Sequence, residues 1–305
     1  MTRRTGRQAG FVLVNALVLV AAMAAAVVVV LGQAETGRAH RAASQDADQL
    51  AAYLDAFESH AMVTLTRDSV GVDHPSDIWA ASASPFALDR GTVTGRISDA
   101  TGRFNVNWLA NPSDTDAAAA FARLARATGM RQGLTQTLRK ALALNPEPGD
   151  GYRQLDPPLR PAGGALTLLR QLDDIPALSQ RDRALLARYI TVLPGDSLLN
   201  INTAPIPVVA SFFPDASASD IASVLAAREV APFRSIDSFF EAVGIAQGTG
   251  LDEDFDRGRF AVGSTWFSVD ITATLGPRAA TRTLLLERRG QSRRPLVRWR
   301  VTQFR

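Results

Sequence analysis

The sequence of 305 residues contains no cysteine, only three histidines and a single lysine, Lys140. Without cysteine the chain has no disulfides, zinc–thiolate sites, iron–sulfur clusters or cysteine nucleophiles. Apolar residues make up 46% of the chain and charged residues 21%, which is the balance of a folded protein. The length allows one or two domains with a proper core.

Recognisable catalytic motifs are also missing. None of His40, His60 and His74 belongs to a His-Glu-x-x-His motif, and neither Gly-x-Ser-x-Gly nor a phosphate-binding Gly-x-x-x-x-Gly-Lys occurs anywhere in the sequence. Because acid/base and metal sites need several converging partners, we expect no enzymatic activity. We expect His40 and His60 on exposed faces of a long helix and His74 in a loop.

The N-terminus combines a short basic tail with a long apolar segment. Residues 1–10 carry three arginines and no acid, and in residues 11–31 Asn15 is the only strongly polar side chain. A helix of this length rises about 31 Å, which matches a hydrocarbon core of about 30 Å. The positive-inside rule keeps the basic tail in the cytoplasm and places the rest across the membrane. A signal peptide cut near Gly32-Gln33-Ala34 is the alternative, although its apolar segment is usually shorter.

The order of a basic leader ending in Gly10, then Phe11, then an apolar helix resembles the precursors of type IV pilins and pseudopilins. This resemblance implies that a prepilin peptidase cuts between Gly10 and Phe11 and methylates the new N-terminus at Phe11. Loss of the leader leaves 30 basic and 30 acidic residues, which argues against binding of nucleic acid by overall charge.

Asn15 occupies the fifth position after this cut, where fibre-forming members of the family usually carry glutamate. A neutral amide cannot neutralise the N-terminal amine of a neighbouring subunit, and an unpaired charge is costly in a membrane. Asn15 therefore indicates a subunit with a special place in the fibre. The alternative is a polar residue that is merely tolerated in a membrane anchor.

Beyond the apolar segment, the pattern predicts an α+β fold. Apolar residues at helical spacing continue the N-terminal helix as an amphipathic one, unless a new helix begins after a break at Gly32 and Gly37. Alternation predicts strands at residues 91–97 and 103–109, joined as a hairpin, and at 267–275, 281–288 and 296–302. Helices are expected at 114–127, 133–144, 166–171, 181–193, 207–213 and 219–228. The simplest architecture is a long helix packed on an antiparallel sheet, with an all-helical domain inserted between strands.

The inserted region resembles a pair of helix-hairpin-helix units. One unit follows Asn200-Ile201-Asn202-Thr203-Ala204, and a looser copy runs from Leu168 to Pro194. Such units bind DNA through Gly-x-Gly in the hairpin, where bare amide groups approach a phosphate. Here the hairpins carry Asp215 in one copy and Asp173-Asp174 in the other, so a packing role for proteins is favoured.

Together these motifs resemble the GspK family, the large minor pseudopilins of type II secretion systems. The resemblance rests on the leader, on Asn15, and on Gly102-Arg103-Phe104-Asn105-Val106-Asn107, Leu155-Asp156-Pro157-Pro158, Asn200-Ile201-Asn202-Thr203-Ala204 and Pro232-Phe233-Arg234-Ser235. It implies a single-pass inner-membrane protein with most of its chain in the periplasm, at the tip of the pseudopilus. The implied partners are minor pseudopilins I and J, other pseudopilins, inner-membrane secretion components, prepilin peptidase and exported proteins.

The implied domains are a leader (1–10), a transmembrane helix (11–31), the first part of a pilin-like domain (32–110), an inserted helical domain (111–256) and the last pilin-like strands (257–305). The competing hypothesis is a membrane-anchored DNA receptor of the competence type, which also joins a membrane helix to helix-hairpin-helix units. The strands on both sides of the insertion favour the pseudopilin.

Two further segments are notable for their charge. In the family, calcium is associated with an acidic stretch before Leu155, but here residues 138–147 have lost those acids, so no cofactor is expected there. Asp252, Glu253, Asp254 and Asp256 are alternative calcium ligands, unless this acidic run is a solvated loop. Residues 278–305 hold nine arginines and one acid, which indicates either the polar faces of edge strands or a patch for anionic lipid or a partner.

Overall fold

The computed structural model describes residues 6–69, 71–81, 85–147, 149–158, 160–247, 255–290 and 293–305. The helices are α1 Gly6–Arg67, α2 Thr115–Ala127, α3 Leu134–Leu142, α4 Asp150–Arg153, α5 Gln180–Tyr189, α6 Ile206–Ala210, α7 Ala218–Val230 and α8 Ile236–Gln247. The strands are β1 Phe86–Leu88, β2 Gly91–Asp99, β3 Phe104–Asn105, β4 Ile190–Thr191, β5 Leu199–Asn200, β6 Phe260–Ala261, β7 Trp266–Leu275, β8 Arg278–Glu287 and β9 Leu296–Phe304. Short 3-10 helices cover Val106–Ala110, Leu169–Asp174 and Arg257–Arg259.

Helix α1 runs without interruption through Gly32 and Gly37, so the alternative of two helices is wrong. Its second half buries one face, which is formed by Leu50, Tyr53, Leu54, Phe57, Ala61 and Leu65. This stripe recurs every three or four residues, as a helix lying on a sheet requires.

The main sheet has five antiparallel strands in the order β1-β2-β7-β8-β9, and α1 packs on one of its faces. The predicted α+β architecture is confirmed. Helix and sheet are in close contact at Gly95 of β2, where an added Cβ would lie 2.4 Å from the ring of Phe57. A glycine at this position lets the aromatic ring sit directly on the strand backbone.

The predicted hairpin between residues 91–97 and 103–109 is wrong. Strand β2 pairs with β1 and β7, whereas Phe104 and Asn105 pair in parallel with β4, and Val106–Ala110 form a 3-10 helix. Asn105 and Asn107 alternate with apolar residues as in an amphipathic strand, yet both asparagines are buried and hydrogen-bonded. Their alternation reflects a buried polar site and not a solvent-facing strand surface.

The inserted unit has its own apolar core, separate from the core between α1 and the sheet. This core begins at Phe104 and ends at Phe260, so it extends a few residues beyond both ends of the predicted range 111–256. The predicted helix over 181–193 ends at Tyr189, because the next two residues form β4. Residues 236–247 add helix α8, which was not among the predicted helices.

The C-terminal arginines fasten α1 to the sheet. Arg282 of β8 lies 2.9 Å from Glu58 and 2.5 Å from Asp55 of α1, and Arg300 of β9 also pairs with Glu58. Arg278 lies 3.5 Å from Asp46 at the other end of the same contact. These arginines therefore have partners within the chain, which neither of the two interpretations of this segment anticipated.

Candidate functional site

The N-terminal part of α1 forms a continuous apolar surface. From Leu13 onward this helix is long and apolar enough to cross a membrane, and its large apolar side chains from Leu13 to Leu31 are all exposed. Asn15 is exposed on this segment, while Gly10 and Phe11 lie within the helix, which begins at Gly6. The segment is compatible with a single-pass membrane anchor. Cleavage after Gly10 and methylation of Phe11 stay predictions.

The histidines are placed where the sequence suggested. His40 and His60 are exposed on α1, and the His60 ring packs edge-on against Phe57 and Phe86. His74 lies in the loop after α1, where it is buried and its Nδ1 is 2.9 Å from the Ser76 hydroxyl.

The inserted unit contains two copies of one local arrangement. In each copy a two-residue strand carries the first asparagine of an Asn-x-Asn motif and pairs in parallel with a strand from the end of the copy. In the first copy β3 pairs with β4, and in the second β5 pairs with β6. The repeated sequences are Phe104-Asn105-Val106-Asn107 and Leu199-Asn200-Ile201-Asn202.

The second asparagine of each motif clamps a distant loop. Asn107 accepts a hydrogen bond from Leu166 N at 2.8 Å and donates to Leu166 O at 2.9 Å and Leu193 O at 2.8 Å. Asn202 accepts one from Phe233 N at 2.9 Å and donates to Phe233 O at 3.0 Å and Val262 O at 3.2 Å. A buried carboxamide that pairs with both backbone groups of one residue fixes that loop in a single position.

The first asparagine shapes the turn that follows it. The side-chain oxygen of Asn105 accepts a hydrogen bond from Asn107 N at 3.1 Å, and Asn200 accepts one from Asn202 N at 2.9 Å. Gly102, just before the first motif, touches the second copy: an added Cβ would lie 2.6 Å from the Thr203 hydroxyl oxygen. The two copies therefore meet where both motifs begin.

A buried polar network joins the inserted unit to the sheet. Asp99, at the end of β2, accepts hydrogen bonds from Thr101, Asn200, Thr203 and Ser264. Asn200 also donates to Asp73 O at 3.1 Å, in the loop after α1. Hydrogen bonds from these four residues satisfy both oxygens of the buried Asp99 carboxylate.

Asp68 and Asp73, close to this network, share Arg288 of the loop after β8. Arg288 lies 2.9 Å from Asp68 Oδ2 and also contacts Asp73 Oδ2. Burial raises the pKa of the Asp73 carboxyl to about 6, although the guanidinium opposes this. Burial and the charge of Asp77 raise the pKa of Asp68 as well. One arginine therefore does not fully offset the cost of burying two carboxylates.

The hairpins of the inserted unit present acids to solvent. Asp215 lies in the turn between α6 and α7, and Asp173 in the 3-10 helix before α5, and both are exposed. Exposed carboxylates repel a phosphate backbone. The charge of these hairpins therefore disfavours DNA as a ligand.

The residues present do not fit a calcium site at the place where the family resemblance suggested one. Leu138 and Leu142 of α3 are buried in the apolar core, and their neighbours Arg139 and Lys140 are basic. Of the alternative ligands, Asp252, Glu253 and Asp254 lie outside the described residues. Asp256 accepts a hydrogen bond from Gly258 N at 3.1 Å, capping the short helix that follows.

In a comparison with known protein families, each of the two copies is matched by a separate family model. Two family models, both described as type II secretion system protein K, match residues 102–195 and 199–262, just over half of the chain. A type II secretion system protein K from Pseudomonas aeruginosa is 31% identical over 231 residues, covering 71% of this chain and 67% of that protein. One from Pectobacterium carotovorum subsp. carotovorum is 23% identical and covers 93% of this chain and 94% of its own.

A solved structure shares the fold. The crystal structure of the GspK–GspI–GspJ complex from the type 2 secretion system of enterotoxigenic Escherichia coli contains a chain that matches with a TM-score of 0.71. It is 19% identical, and the match covers 86% of this chain and 98% of that one. On the strength of the sequence matches, this chain belongs to the type II secretion system protein K family.

Proposed function

We propose that this chain is the minor pseudopilin at the tip of a type II secretion pseudopilus, where it starts or caps the fibre and supports export of folded proteins across the outer membrane. The observation that carries this proposal is a helical unit inserted into a pilin-like helix-on-sheet unit, between β2 and β7. A subunit of this shape can join a fibre through its N-terminal helix.

The placement of the inserted unit supports a capping role. It leaves the sheet after Asp99 and returns before Trp266, beside the C-terminal end of α1, where the Asn200 side chain donates a hydrogen bond to the backbone carbonyl of Asp73. The opposite end of the sheet, at Arg278, contacts Ala43 and Asp46 of α1 and lies nearer the apolar segment. A further subunit stacked on the far side from the membrane would meet the inserted unit.

The N-terminal segment completes the proposal. A prepilin peptidase removes residues 1–10, Phe11 becomes the methylated N-terminus, and the apolar helix anchors the chain in the inner membrane with the remaining residues in the periplasm. Asn15 suits a subunit at the tip, because no subunit above it offers an amine for a carboxylate to neutralise. The role is structural: assembly and positioning instead of catalysis.

The proposed partners are minor pseudopilins I and J. They are suggested by the GspK–GspI–GspJ complex, which contains a chain of the same fold. The test is to co-express the full chain with the I and J pseudopilins of its own organism and to isolate the assembly in detergent through a tag on J. We expect all three proteins in one complex, and we expect that a strain without this chain stops exporting its type II substrates.

Two outcomes would contradict the proposal. One is normal export in the deletion strain, and the other is a chain that never purifies with I and J although both are present. Duplex DNA serves as the control ligand: a salt-dependent mobility shift with the purified chain would instead support the anchored-receptor hypothesis.

A further inference from the structure

Three carboxylates converge at the end of α1, outside the segments considered for calcium above. Asp68 follows the last residue of α1, and Asp73 and Asp77 lie in the loop after it. One oxygen from each lies within 4.8 Å of the other two. Asp68 is 8% exposed and Asp73 is fully buried, whereas Asp77 is half-buried. The cluster is therefore enclosed on one side and reachable from solvent on the other.

One buried oxygen of this cluster has no hydrogen-bond donor among the residues that the structure describes. Asp73 Oδ2 accepts hydrogen bonds from Ser264 N at 2.6 Å and from Arg288. Asp73 Oδ1 is buried, and within the described chain nothing donates a hydrogen bond to it. The nearby Asp99 carboxylate shows the contrast, since both of its oxygens accept hydrogen bonds. A buried carboxylate oxygen without a donor is costly, and a cation bound at this oxygen would offset that cost.

The charge of the cluster also favours a bound cation. The three carboxylates carry three negative charges, and Arg288 is the one cationic side chain that the structure, over its described ranges, pairs with any of them. Asp77 instead accepts hydrogen bonds from His74 N at 2.7 Å and from the indole of Trp79 at 3.2 Å. His74 Nδ1 is engaged with Ser76. Two negative charges are left over, and a divalent cation would neutralise them.

We propose that Asp68, Asp73 and Asp77 bind one divalent cation of the oxygen-preferring class, such as Ca²⁺, with Asp73 Oδ1 as a ligand. Calcium takes about six to eight oxygens, so water completes its shell on the open side beside Asp77. The ion would tie the end of α1 to the loop that follows it. Because Asp73 also contacts Asn200 and Ser264, the ion would stiffen the base of the inserted unit.

Trp79 gives this site a spectroscopic probe. Its indole contacts Asp77, so a terbium ion bound by the cluster would emit when tryptophan is excited, because this energy transfer acts only at short range. We expect the full chain in detergent to show saturable terbium emission at one ion per chain, reversed by added Ca²⁺. Asp77→Asn should weaken binding of terbium and of Ca²⁺ at least tenfold. Trp79→Phe should lower the emission while calorimetry still detects Ca²⁺ binding.

The matched control is the double variant Asp252→Asn with Asp254→Asn, which removes the other acidic run and should leave the emission unchanged. Near-UV circular dichroism verifies the fold of each variant. If Asp77→Asn does not fold, Asp68→Asn replaces it with the same expected loss. The proposal is overturned if the wild-type chain gives no saturable emission, if the variant in the cluster binds as tightly as wild type, or if only the control variant loses binding.

Discussion

Replacement of Asn202 by alanine is expected to lower the free energy of unfolding by about 2–4 kcal/mol, because it strands polar groups that cannot reach water freely. The backbone N–H and C=O of Phe233 both lose their partner, whereas Val262 O keeps its hydrogen bond from Asp73 N. The lost clamp also frees the loop between α7 and α8. Urea unfolding of the detergent-solubilised chain, followed by near-UV circular dichroism, measures the change.

The first copy provides a parallel test. Asn107→Ala strands the N–H and C=O of Leu166 in the same way, while Leu193 O keeps a hydrogen bond from Asn105, so a loss of similar size is expected. Asn145 is exposed, and Asn145→Ala should change stability by no more than about 0.5 kcal/mol. If Asn202→Ala and Asn145→Ala unfold at the same urea concentration, the clamp does not stabilise the inserted unit.

The second large effect concerns Glu58, whose carboxylate joins α1 to two strands. Glu58→Ala is expected to cost about 3 kcal/mol, because removing one partner of a buried ion pair leaves the other charge insufficiently compensated. The side chain of Arg282 is only 7% exposed, and its remaining acid, Asp55, is 66% exposed. The helix would therefore sit less firmly on the sheet, and the thermal midpoint should fall by several degrees.

A surface pair and a double variant serve as controls for Glu58. Asp46 pairs with Arg90 and Arg278, whose side chains are 63% and 41% exposed, so Asp46→Ala should cost no more than about 1 kcal/mol. Replacing Glu58 by leucine together with Arg282 by methionine should recover most of the loss, since apolar substitutes for a buried pair are often neutral. Equal midpoints for wild type and Glu58→Ala would mean that this ion pair does not hold the helix.

Much of the pilin-like unit could be predicted from the sequence because its pattern is local. The buried face of α1 follows from helical spacing, and the alternation in β7, as at Val269 and Ile271, follows from a sheet with one apolar face. The burial of Arg282 was harder to predict, since a charged residue in a central strand is expected to face solvent. Its ion pairs with Asp55 and Glu58, far away in the sequence, explain its burial.

The inserted unit was less predictable because its polar residues act over long sequence distances. Asn105 and Asn107 looked like the solvent face of a strand, and their partners near Leu193 are more than 80 positions away. The signal that could have revealed their role is the repeat itself, with Asn105 and Asn200 at equivalent places in two similar motifs. The acids around Asp73 lie close together in the sequence, but Arg288, which holds two of them, joins from the far end of the chain and could not be foreseen.

Intact mass with N-terminal sequencing of the membrane-extracted protein tests most directly whether the chain enters the pilin pathway. In a host that contains the matching prepilin peptidase, we expect a chain that lacks residues 1–10 and begins at methylated Phe11, while a Gly10→Leu variant keeps its leader. A chain that still begins at Met1, or one that begins near Glu35 after removal of the whole apolar segment, would contradict the assignment of a tip pseudopilin.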